Sequence, residues 1–495
     1  MRLLGVDHTC IALDTPGFGL SDPLPGEGWS IDHLAQALAD TLDVLGVQRA
    51  ALCGQHTGAT IGAEFARRWP GRVTCLALDG YTVFSVQERE TILPHQLYRF
   101  QPRWDGTHLL WAWARFRDGW LFFPWSLPSL ATRRDLDMPS AQTIHDDQVM
   151  ELLRSRESHL AVYPAVFGWD GLAAAQGLSM PTLIGSTAED QLFTHLDRLH
   201  DLPPQVQVLR CAHGARSTLQ GALAAHVRAH SVGGSVPPVA AQGFELASAG
   251  RWRGYAARLA VRAVVRPGPQ APLLILHGAG GAGETELHRL AKFQDRTLIA
   301  LDLPGHGDSG GAVLAPAVTA QRVRQALGEL DLQAFCVHGR GLGAAVAVEL
   351  AIACQCEGAL VPQALDLHEL RCWQPGEQER WCAHYAHPIV PQWDGGHLLR
   401  RWNELRDRQF FLPWFERTRA ATRRIEPAVD AAELTAQVFA ALRCSDWPGA
   451  HEAWFRWPVE RLSELACSVQ LHAQPGDGWA RDLAALRQRL PHTLS

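Results

Sequence analysis

An internal repeat constrains the fold of this 495-residue chain more than any other feature. Residues 11–19 read IALDTPGFG and residues 299–307 read IALDLPGHG, while residues 104–110 (WDGTHLL) return as residues 393–399 (WDGGHLL). The matching segments keep nearly the same spacing along most of each half. Self-similarity at a fixed spacing indicates duplicated structural units, so we interpret the chain as a tandem duplication.

A short segment of small residues and proline separates the two copies. Residues 232–239 read VGGSVPPV, a composition that is typical of linkers. We therefore predict one unit at residues 1–232 and a second unit at residues 242–495. The first copy has no counterpart of the strands that open the second, and the second has no counterpart of the segment that closes the first. We expect the first unit to be truncated at its N-terminal side and the second at its C-terminal side. For the first unit the alternatives are a start further upstream, a lost sheet edge, or an edge covered by the second unit.

The composition is that of a globular protein. Hydrophobic residues make up 47% and charged residues 19% of the chain, which excludes a disordered or coiled-coil protein. The formal net charge of -6 gives no basic footprint, so we predict no nucleic-acid partner. We also predict no membrane association, because no apolar run is long enough to cross a bilayer and the N-terminus lacks a signal-peptide pattern. Eleven cysteines without a CxxC pair indicate reduced thiols, and we expect a cytoplasmic location.

Each copy alternates short apolar runs with helical patterns. In the first copy, residues 50–53 (AALC) and 73–78 (VTCLAL) read as buried strands, and residues 10–14 (CIALD) read as an earlier strand. Between the first two of these runs, Ile61 and Phe65 lie at helical spacing on one face. Alternation of strands and helices predicts an α/β fold with a parallel sheet.

A glycine-flanked turn follows the strand in both copies. It reads GQHTG at residues 54–58 and GRGLG at residues 339–343. In the second copy residues 273–281 (LLILHGAGG) precede the turn, and with the repeated DxPGxG segment these motifs resemble the α/β-hydrolase fold superfamily, in which a Gly-x-X-x-Gly turn is the nucleophile elbow. The resemblance implies two tandem α/β-hydrolase-like units, each a mostly parallel sheet flanked by helices. It also implies a helical cap insertion in each unit, at about residues 88–168 and 378–458.

Neither copy keeps a serine at the centre of the elbow. The first copy carries His56, whereas the second carries Gly341, which has no side chain for nucleophilic chemistry. We therefore interpret the second unit as degenerate at this position. In the first unit, the resemblance assigns His213 to the family's histidine position and Asp190 to its acid position, with Asp79 as an alternative acid.

These positions predict how the first unit could work. His56 is a candidate general base, because an imidazole exchanges protons near neutral pH. Asp190 would orient His213, and His213 would then hydrogen-bond to His56, by the logic of a catalytic triad. The backbone N–H of Thr57, directly after the elbow residue, is a better candidate oxyanion donor than that of Gln55, directly before it.

The predicted cap of the first unit holds several of the 18 tryptophans of the chain. Trp104, His108 and Arg117 lie in its repeated part and are candidate substrate contacts, since a cap roofs the site. Arg117 could bind a carboxylate. The alternative is an architectural network in which Arg117 pairs with Asp105 or Asp118. The second unit keeps the matching histidine and arginine without an elbow side chain, which favours this alternative but also fits a shared ligand pocket.

The predicted function is that of a cofactor-independent enzyme of the α/β-hydrolase fold. We expect hydrolytic or lyase-like chemistry in the first unit, on a small apolar ester, amide or carbonyl substrate. The alternative is a catalytically inactive tandem pseudo-hydrolase that acts as a scaffold or binds a ligand. No cofactor is expected, and no metal, because none of the 23 histidines shows the paired spacing on one helix that zinc enzymes use. The two units are also candidates for an intramolecular pseudo-dimer.

Overall fold

The structure, a computed structural model, describes residues 3–233, 244–356, 362–473 and 478–489. The residues divide into two units, the first formed by Met1–Gln101 and Trp111–Ala241 and the second by Pro102–Leu110 and Gln242–Ser495. The segment Pro102–Leu110, which the repeat assigns to the first cap, therefore belongs to the second unit by its contacts. Most of the predicted linker, residues 234–239, lies outside the described residues.

The sheet of the first unit is parallel throughout its described part. Its strands are β1 (Ala50–Gln55), β2 (Val73–Asp79), β3 (Thr182–Thr187) and β4 (Val206–Cys211). They are hydrogen-bonded in the order β1-β2-β3-β4. Strands β2 and β3 are buried along their whole length because each has a neighbour on both sides, whereas the edge strands β1 and β4 are partly exposed. The predicted strands after residue 49 are confirmed, although β1 is less buried than its apolar sequence predicts.

Helices lie before, between and after these strands. They are α1 (Ile31–Val44), α2 (Thr57–Arg68), α3 (Val86–Thr91), α4 (Leu93–Gln96), α5 (Thr107–Leu121), α6 (Ala141–Ile144), α7 (Met150–Ser155), α8 (His159–Gly168), α9 (Gly171–Gln176) and α10 (Arg216–His230). Helices α3 to α9 all fall between β2 and β3, where the cap was expected. Ile61 and Phe65 of α2 are buried, which confirms the predicted apolar face, and Phe65 packs with Leu76 and Leu78 of β2 in one core cluster.

The second unit has a larger, mixed sheet. Its strands are β5 (Gly250–Ala256), β6 (Leu259–Val265), β7 (Leu273–Leu276), β8 (Leu298–Leu301), β9 (Cys336–Arg340), β10 (Ala364–His368) and β11 (Ser468–His472). The order across the sheet is β11-β10-β9-β7-β8-β6-β5. Strand β6 pairs antiparallel with both β5 and β8, and all other neighbours are parallel. The predicted α/β architecture with a mostly parallel sheet is confirmed in both units.

The helices of the second unit repeat the arrangement of the first. They are α11 (Gly283–Leu290), α12 (Pro316–Glu329), α13 (Leu342–Cys356), α14 (Glu377–His384), α15 (Gly396–Asp407), α16 (Ala431–Leu442), α17 (Trp447–Phe455) and α18 (Trp479–Arg489). Helices α14 to α17 lie between β10 and β11, so this unit also carries its helical insertion at the predicted place.

The strand predicted at residues 10–14 does not form. These residues have no regular structure, and Ile11 and Leu13 are 43% and 45% exposed. In the second unit the matching strand β8 is hydrogen-bonded to β7 on one side and to β6 on the other. The described residues before β1 contain no strands that match β6 or β7, so the backbone groups of residues 10–14 have no sheet to pair with. The prediction was wrong because strand formation needs partners as well as an apolar sequence.

The turn that follows this segment is nevertheless the same in both units. The carboxylate of Asp14 accepts a hydrogen bond from the Leu20 N–H at 2.8 Å. The carboxylate of Asp302 accepts one from the Asp308 N–H at 2.9 Å. A local hydrogen bond between a side chain and the backbone survives without the sheet, because all of its atoms lie within one turn.

The elbow brings β1 and α2 so close together that residue 54 has no room for a side chain. A Cβ atom at Gly54 would lie 2.6 Å from the backbone nitrogen of Ala59 and would also collide with the carbonyl group of Gly58. Gly339 makes the matching approach in the second unit, where a Cβ atom would lie 2.7 Å from the carbonyl oxygen of Gly343. The first glycine of each elbow is thus required by the packing of a helix against the end of its strand.

We predict that Gly54→Ala destabilises the first unit by about 1–3 kcal/mol, because the methyl group forces the strand and the helix apart. Gly58→Ala is the matched control, since a Cβ atom at Gly58 would have no atom within 4 Å. It should leave stability unchanged or raise it by up to about 1 kcal/mol, the preference of a helix for alanine. Urea unfolding followed by circular dichroism measures both variants, and equal losses would contradict the close-approach argument.

Candidate functional site

His56 occupies the turn between β1 and α2. It is the single residue between the two elements, and its backbone has φ 49° and ψ -114°. A non-glycine residue in such a conformation costs about 1–3 kcal/mol and persists only where the surroundings impose it. Two backbone hydrogen bonds do so here: the His56 N–H donates to the Asp79 carbonyl (2.9 Å), and the His56 carbonyl accepts from the Thr60 N–H (3.1 Å). The strained turn is the geometry of a nucleophile elbow.

The imidazole of His56 pairs directly with the carboxylate of Asp190. Its Nε2 atom lies 2.9 Å from Asp190 Oδ2, and the two side chains are 36% and 10% exposed. Asp190 Oδ1 accepts a second hydrogen bond from the Leu192 N–H at 2.8 Å. Because an ionised carboxylate can only accept hydrogen bonds, Nε2 carries the proton and the Nδ1 atom of the neutral ring is left as the basic nitrogen.

The surroundings of Asp190 keep its carboxyl group ionised. Burial raises its pKa, but the hydrogen bond and charge of His56, the Leu192 N–H and the charge of Arg134 together outweigh burial. The net pKa lies below the ordinary value of an aspartate. Asp190 is therefore an anion at neutral pH and can stabilise an imidazolium on His56.

Gly80, the residue directly after β2, leaves room for the side chains of His56 and Asp190. A Cβ atom at Gly80 would lie 2.6 Å from His56 Nε2 and 3.5 Å from Asp190 Oδ2. The Gly80 N–H donates to the Gly185 carbonyl of β3 at 2.9 Å, which fixes the backbone at this point. The carboxyl ends of β1, β2 and β3 thus meet at one edge of the sheet, the place where parallel α/β sheets bind their ligands.

The predicted order of hydrogen bonds, from Asp190 through His213 to His56, is wrong. His213 is exposed, and its Nε2 atom donates to the carbonyl oxygen of Asp135 at 3.0 Å. That hydrogen bond raises the pKa of His213 above its ordinary value. The physical reason is the size of the elbow side chain: an imidazole reaches much farther than a serine hydroxyl, so His56 contacts the acid without a bridging histidine.

The alternative acid, Asp79, is held by a different partner. Arg216 donates to Asp79 Oδ2 at 2.6 Å, while Asp79 Oδ1 is buried without a hydrogen bond. Burial raises the pKa of Asp79 above its ordinary value in spite of the ion pair. Of the two predicted acids, only Asp190 hydrogen-bonds to the elbow histidine.

The two predicted oxyanion donors flank His56. Gln55 is the last residue of β1, and its backbone is paired with Asp79 of β2. Thr57 is the first residue of α2, and first-turn N–H groups have no acceptor within their own helix. The positive end of the helix dipole also lies there. Thr57 therefore stays the better candidate oxyanion donor.

The three candidate substrate contacts in the cap have other surroundings or partners. Trp104 is largely exposed, and Arg117 lies 3.1 Å from the carboxylate of Asp118. His108 is buried within the second unit, where its Nε2 atom lies 2.9 Å from the hydroxyl of Thr435. Burial lowers the pKa of His108 to about 4, so it is neutral at physiological pH. These contacts agree with the architectural alternative for Arg117.

Sequence reasoning missed His195, which is buried near the candidate site. Its Nδ1 atom accepts a hydrogen bond from the Val83 N–H at 3.0 Å, and its Nε2 atom lies 3.7 Å from the carboxylate of Glu88. Burial lowers the pKa of His195 to about 4, and the charge of Asp190 contributes in the opposite direction. The one available signal was its place shortly after Asp190 in an apolar segment, a pattern that does not separate a buried histidine from a surface one.

The elbow of the second unit is filled by an aromatic ring. Gly341 has φ 52°, and a Cβ atom there would lie 3.2 Å from the indole of Trp454. His277, in the HG segment before this elbow, is fully buried and accepts a hydrogen bond from the Leu303 N–H at 2.9 Å. These contacts are those of packed core residues, in agreement with the degenerate elbow that the sequence indicates.

A strand, a residue with positive φ and a helix follow one another in both units, which is the arrangement of the α/β-hydrolase elbow. The family described as "alpha/beta hydrolase fold" matches residues 1–219, and the "Alpha/beta hydrolase family" matches residues 273–494. The chain therefore belongs to the α/β-hydrolase superfamily, as a tandem of two units. No helix in the described residues is both long and apolar enough to cross a membrane.

Individual relatives resemble parts of this chain. The 2-hydroxy-6-oxononadienedioate/2-hydroxy-6-oxononatrienedioate hydrolase of Burkholderia vietnamiensis (strain G4 / LMG 22486) is 41% identical over 73 residues, 15% of this chain and 25% of the relative. The enzyme of that name from Escherichia coli (strain K12) is 32% identical over 114 residues, 22% of this chain and 39% of the relative. The chain thus matches less than half of the length of these relatives. A solved structure of a hydrolase from Pseudomonas aeruginosa PA01 is 17% identical and covers 48% of this chain and 83% of its own, with a TM-score of 0.34.

We predict that the first unit loses stability on acidification partly through His195. Its pKa is about 4 when folded and 6.5 in its ordinary state, so the unfolded chain binds a proton that the folded chain excludes. Stability should fall as the pH drops from about 6.5 towards about 4, by at most about 1.4 kcal/mol per pH unit from this residue. His195→Gln should flatten the dependence, whereas His200→Gln, at an exposed histidine, should not. Urea unfolding at several pH values measures the slope, and equal slopes in wild type and His195→Gln would refute the assignment.

Proposed function

We propose that the first unit is a cofactor-independent hydrolase in which His56, oriented by Asp190, is the general base. The substrate class is a small apolar ester, amide or carbonyl compound. One observation carries the proposal: at a strained strand-to-helix turn, His56 Nε2 lies 2.9 Å from the largely buried Asp190 carboxylate while the imidazole stays partly exposed. The names of the partial relatives support a carbonyl substrate, because they contain a 6-oxo group; the same names are those of dioates, so they do not support its apolar character.

The chemistry needs only these groups and water. The Nδ1 atom of His56 takes a proton from a water molecule, whose oxygen forms a bond to the carbonyl carbon while the π electrons move to the carbonyl oxygen. The Thr57 N–H stabilises the oxyanion. For an ester or an amide, the carbonyl then re-forms, the bond to the leaving oxygen or nitrogen breaks with its electron pair, and His56 returns the proton to that atom. Asp190 stabilises the imidazolium between these two steps.

We also propose a location in the cytoplasm and a small molecule as the binding partner. A cytoplasmic enzyme is supported by the cysteines, all of which are free thiols. A small-molecule substrate without nucleic acid is supported by the net charge of -6. An intramolecular pseudo-dimer of the two units stays a prediction that rests on the sequence repeat.

The test is hydrolysis of a panel of p-nitrophenyl esters and anilides by wild type, His56→Ala, Asp190→Asn and His213→Ala. His56→Ala should lower kcat/KM by roughly 10²–10⁴-fold, the usual contribution of a general base. Asp190→Asn should lower it at least about tenfold, because the ring loses its orientation and its counter-charge. His213→Ala is the matched control, an exposed histidine of the same unit, and it should stay within about twofold of wild type.

Each other outcome has a definite meaning. A loss in His213→Ala equal to that in His56→Ala would restore the three-residue arrangement expected from the family. Equal rates in all four proteins, with circular dichroism unchanged, would end the catalytic proposal for these substrates.

The second candidate function is ligand binding without catalysis. It is favoured by the second unit, where Trp454 fills the space beside Gly341 and the fold is kept without an elbow side chain. In that case esters and ketones should raise the thermal midpoint of unfolding of the protein. His56→Ala should then change neither the hydrolysis rates nor these increases in the thermal midpoint.

A further inference from the structure

Three strands of the second unit bring four metal-binding side chains together. His338 comes from β9, Asp366 and His368 from β10, and His472 from β11. In the register of the parallel sheet, His338 is opposite Asp366 and His368 is opposite His472. Side chains at paired positions point to the same face of a sheet, and so do residues two apart on one strand. The cluster therefore occupies one face.

The carboxylate of Asp366 lies at the centre of the cluster. His338 Nδ1 is 2.7 Å from Asp366 Oδ2, while His472 Nε2 and His368 Nε2 are 2.6 Å and 3.4 Å from Asp366 Oδ1. The potential ligand atoms of His338, Asp366 and His368 all lie within 4.8 Å of one another. Four ligands at about 2.0–2.1 Å around a tetrahedral ion are about 3.3 Å apart. Small side-chain rotations would let the atoms of these three residues surround one ion, and His472, 2.6 Å from Asp366 Oδ1, is the candidate for the fourth ligand.

One oxygen of this carboxylate is contacted by two imidazoles. Asp366 Oδ1 is buried, and neither of its two close imidazole nitrogens has the direction of a hydrogen bond to it. A buried carboxylate oxygen whose neighbouring donors are poorly aligned gains less than a full hydrogen bond from each of them. A cation between the oxygen and the imidazoles would satisfy it.

The cluster is anchored at one end and open at the other. The side chain of His338 is 6% exposed, whereas that of His472 is 47% exposed. On the opposite face of β10, Leu365 and Leu367 are buried in the core. An ion can therefore reach the cluster from solvent while the fold holds the deepest ligand in place.

The first unit shows that the fold does not need these residues. When the two units are aligned with His56 on Gly341, each of the four cluster positions has a match on β1, β2 or β3. In the order His338, Asp366, His368 and His472, the matches are Cys53, Ala77, Asp79 and Gly185. There the same face is largely covered: Ala77 packs against Val227 of α10, and a side chain at Gly185 would collide with Leu219 of α10. At the four matching positions, the second unit has three histidines and an aspartate, whereas the first unit has a cysteine, an alanine, an aspartate and a glycine. This difference indicates a role beyond packing.

We propose that His338, Asp366, His368 and His472 bind one divalent transition-metal ion of the Zn²⁺ type. Imidazole nitrogens and a carboxylate oxygen are the ligands that Zn²⁺ accepts, and they discriminate against Mg²⁺, which takes oxygen ligands. The prediction of no metal considered histidine pairs on one helix. Strands place ligands together that are far apart in sequence, so that spacing could not reveal this site.

The test uses the full-length protein after treatment with a chelator and dialysis. Isothermal titration with Zn²⁺ should give one strong site, Mg²⁺ should give none, and Co²⁺ should give the intense visible bands of a four-coordinate ion. Saturating Zn²⁺ should also raise the thermal midpoint of unfolding, because the ion binds the folded chain. None of these readouts depends on the activity of the first unit.

Variants identify the ligands. Asp366→Asn, His368→Gln and His472→Gln should each weaken Zn²⁺ binding at least roughly 10–100-fold, the range seen when even a supporting group of a metal site is lost. His288→Gln, at an exposed histidine of α11, is the matched control and should bind as wild type does. His472→Cys should keep Zn²⁺ binding and add a thiolate-to-metal absorption band with Co²⁺. The exposed position of His472 makes its variants the least disruptive of the set.

Two results would overturn the proposal. The first is the absence of a strong Zn²⁺ site in the wild-type protein. The second is Zn²⁺ binding that His368→Gln, His472→Gln and Asp366→Asn all leave at the wild-type affinity while circular dichroism shows each of them folded.

Discussion

Hydrogen bonding between neighbouring parallel strands is the constraint on which both units and both candidate clusters of side chains depend. It sets the register that places the ends of β1, β2 and β3 side by side, so that His56 and Asp190 meet although they are far apart in the chain. The same kind of pairing in the second unit places His338 opposite Asp366. It also places His368 opposite His472. In both clusters, the neighbouring strand or the loop that follows it provides the side chain that a residue contacts.

The two units show how one fold separates architecture from chemistry. Both keep the close approach of strand and helix at the elbow and the aspartate-stabilised turn that follows the first repeat. They differ in what fills the elbow, an imidazole paired with a carboxylate in one unit and the indole of Trp454 beside Gly341 in the other. They also differ on one sheet face, which is packed against α10 in the first unit and carries imidazoles in the second.

Much of the fold could be predicted because its signals are local. The apolar run of β2, the buried face of α2 at Ile61 and Phe65, and the helical insertions all follow from periodicity and from the elbow motif. Residues 10–14 show the limit, since their sequence matches that of β8 and they form no strand. Their outcome depends on whether partner strands exist, which is not a property of the segment itself. The candidate site shows the same limit, because the reach of the His56 ring decides which side chain meets Asp190.

The sequence by itself determined the duplication, the α/β-hydrolase fold of both units and the identity of the elbow residues. These three results depend only on short motifs and on their order along the chain. Only the tertiary structure decided which groups meet: that Asp190 bonds to His56 while His213 bonds to a backbone carbonyl, and that three strands converge on Asp366. The physical reason is that hydrogen bonds and metal ligation depend on distances of a few tenths of an ångström between atoms. Such distances are set by strand register, by side-chain length and by packing across the whole unit.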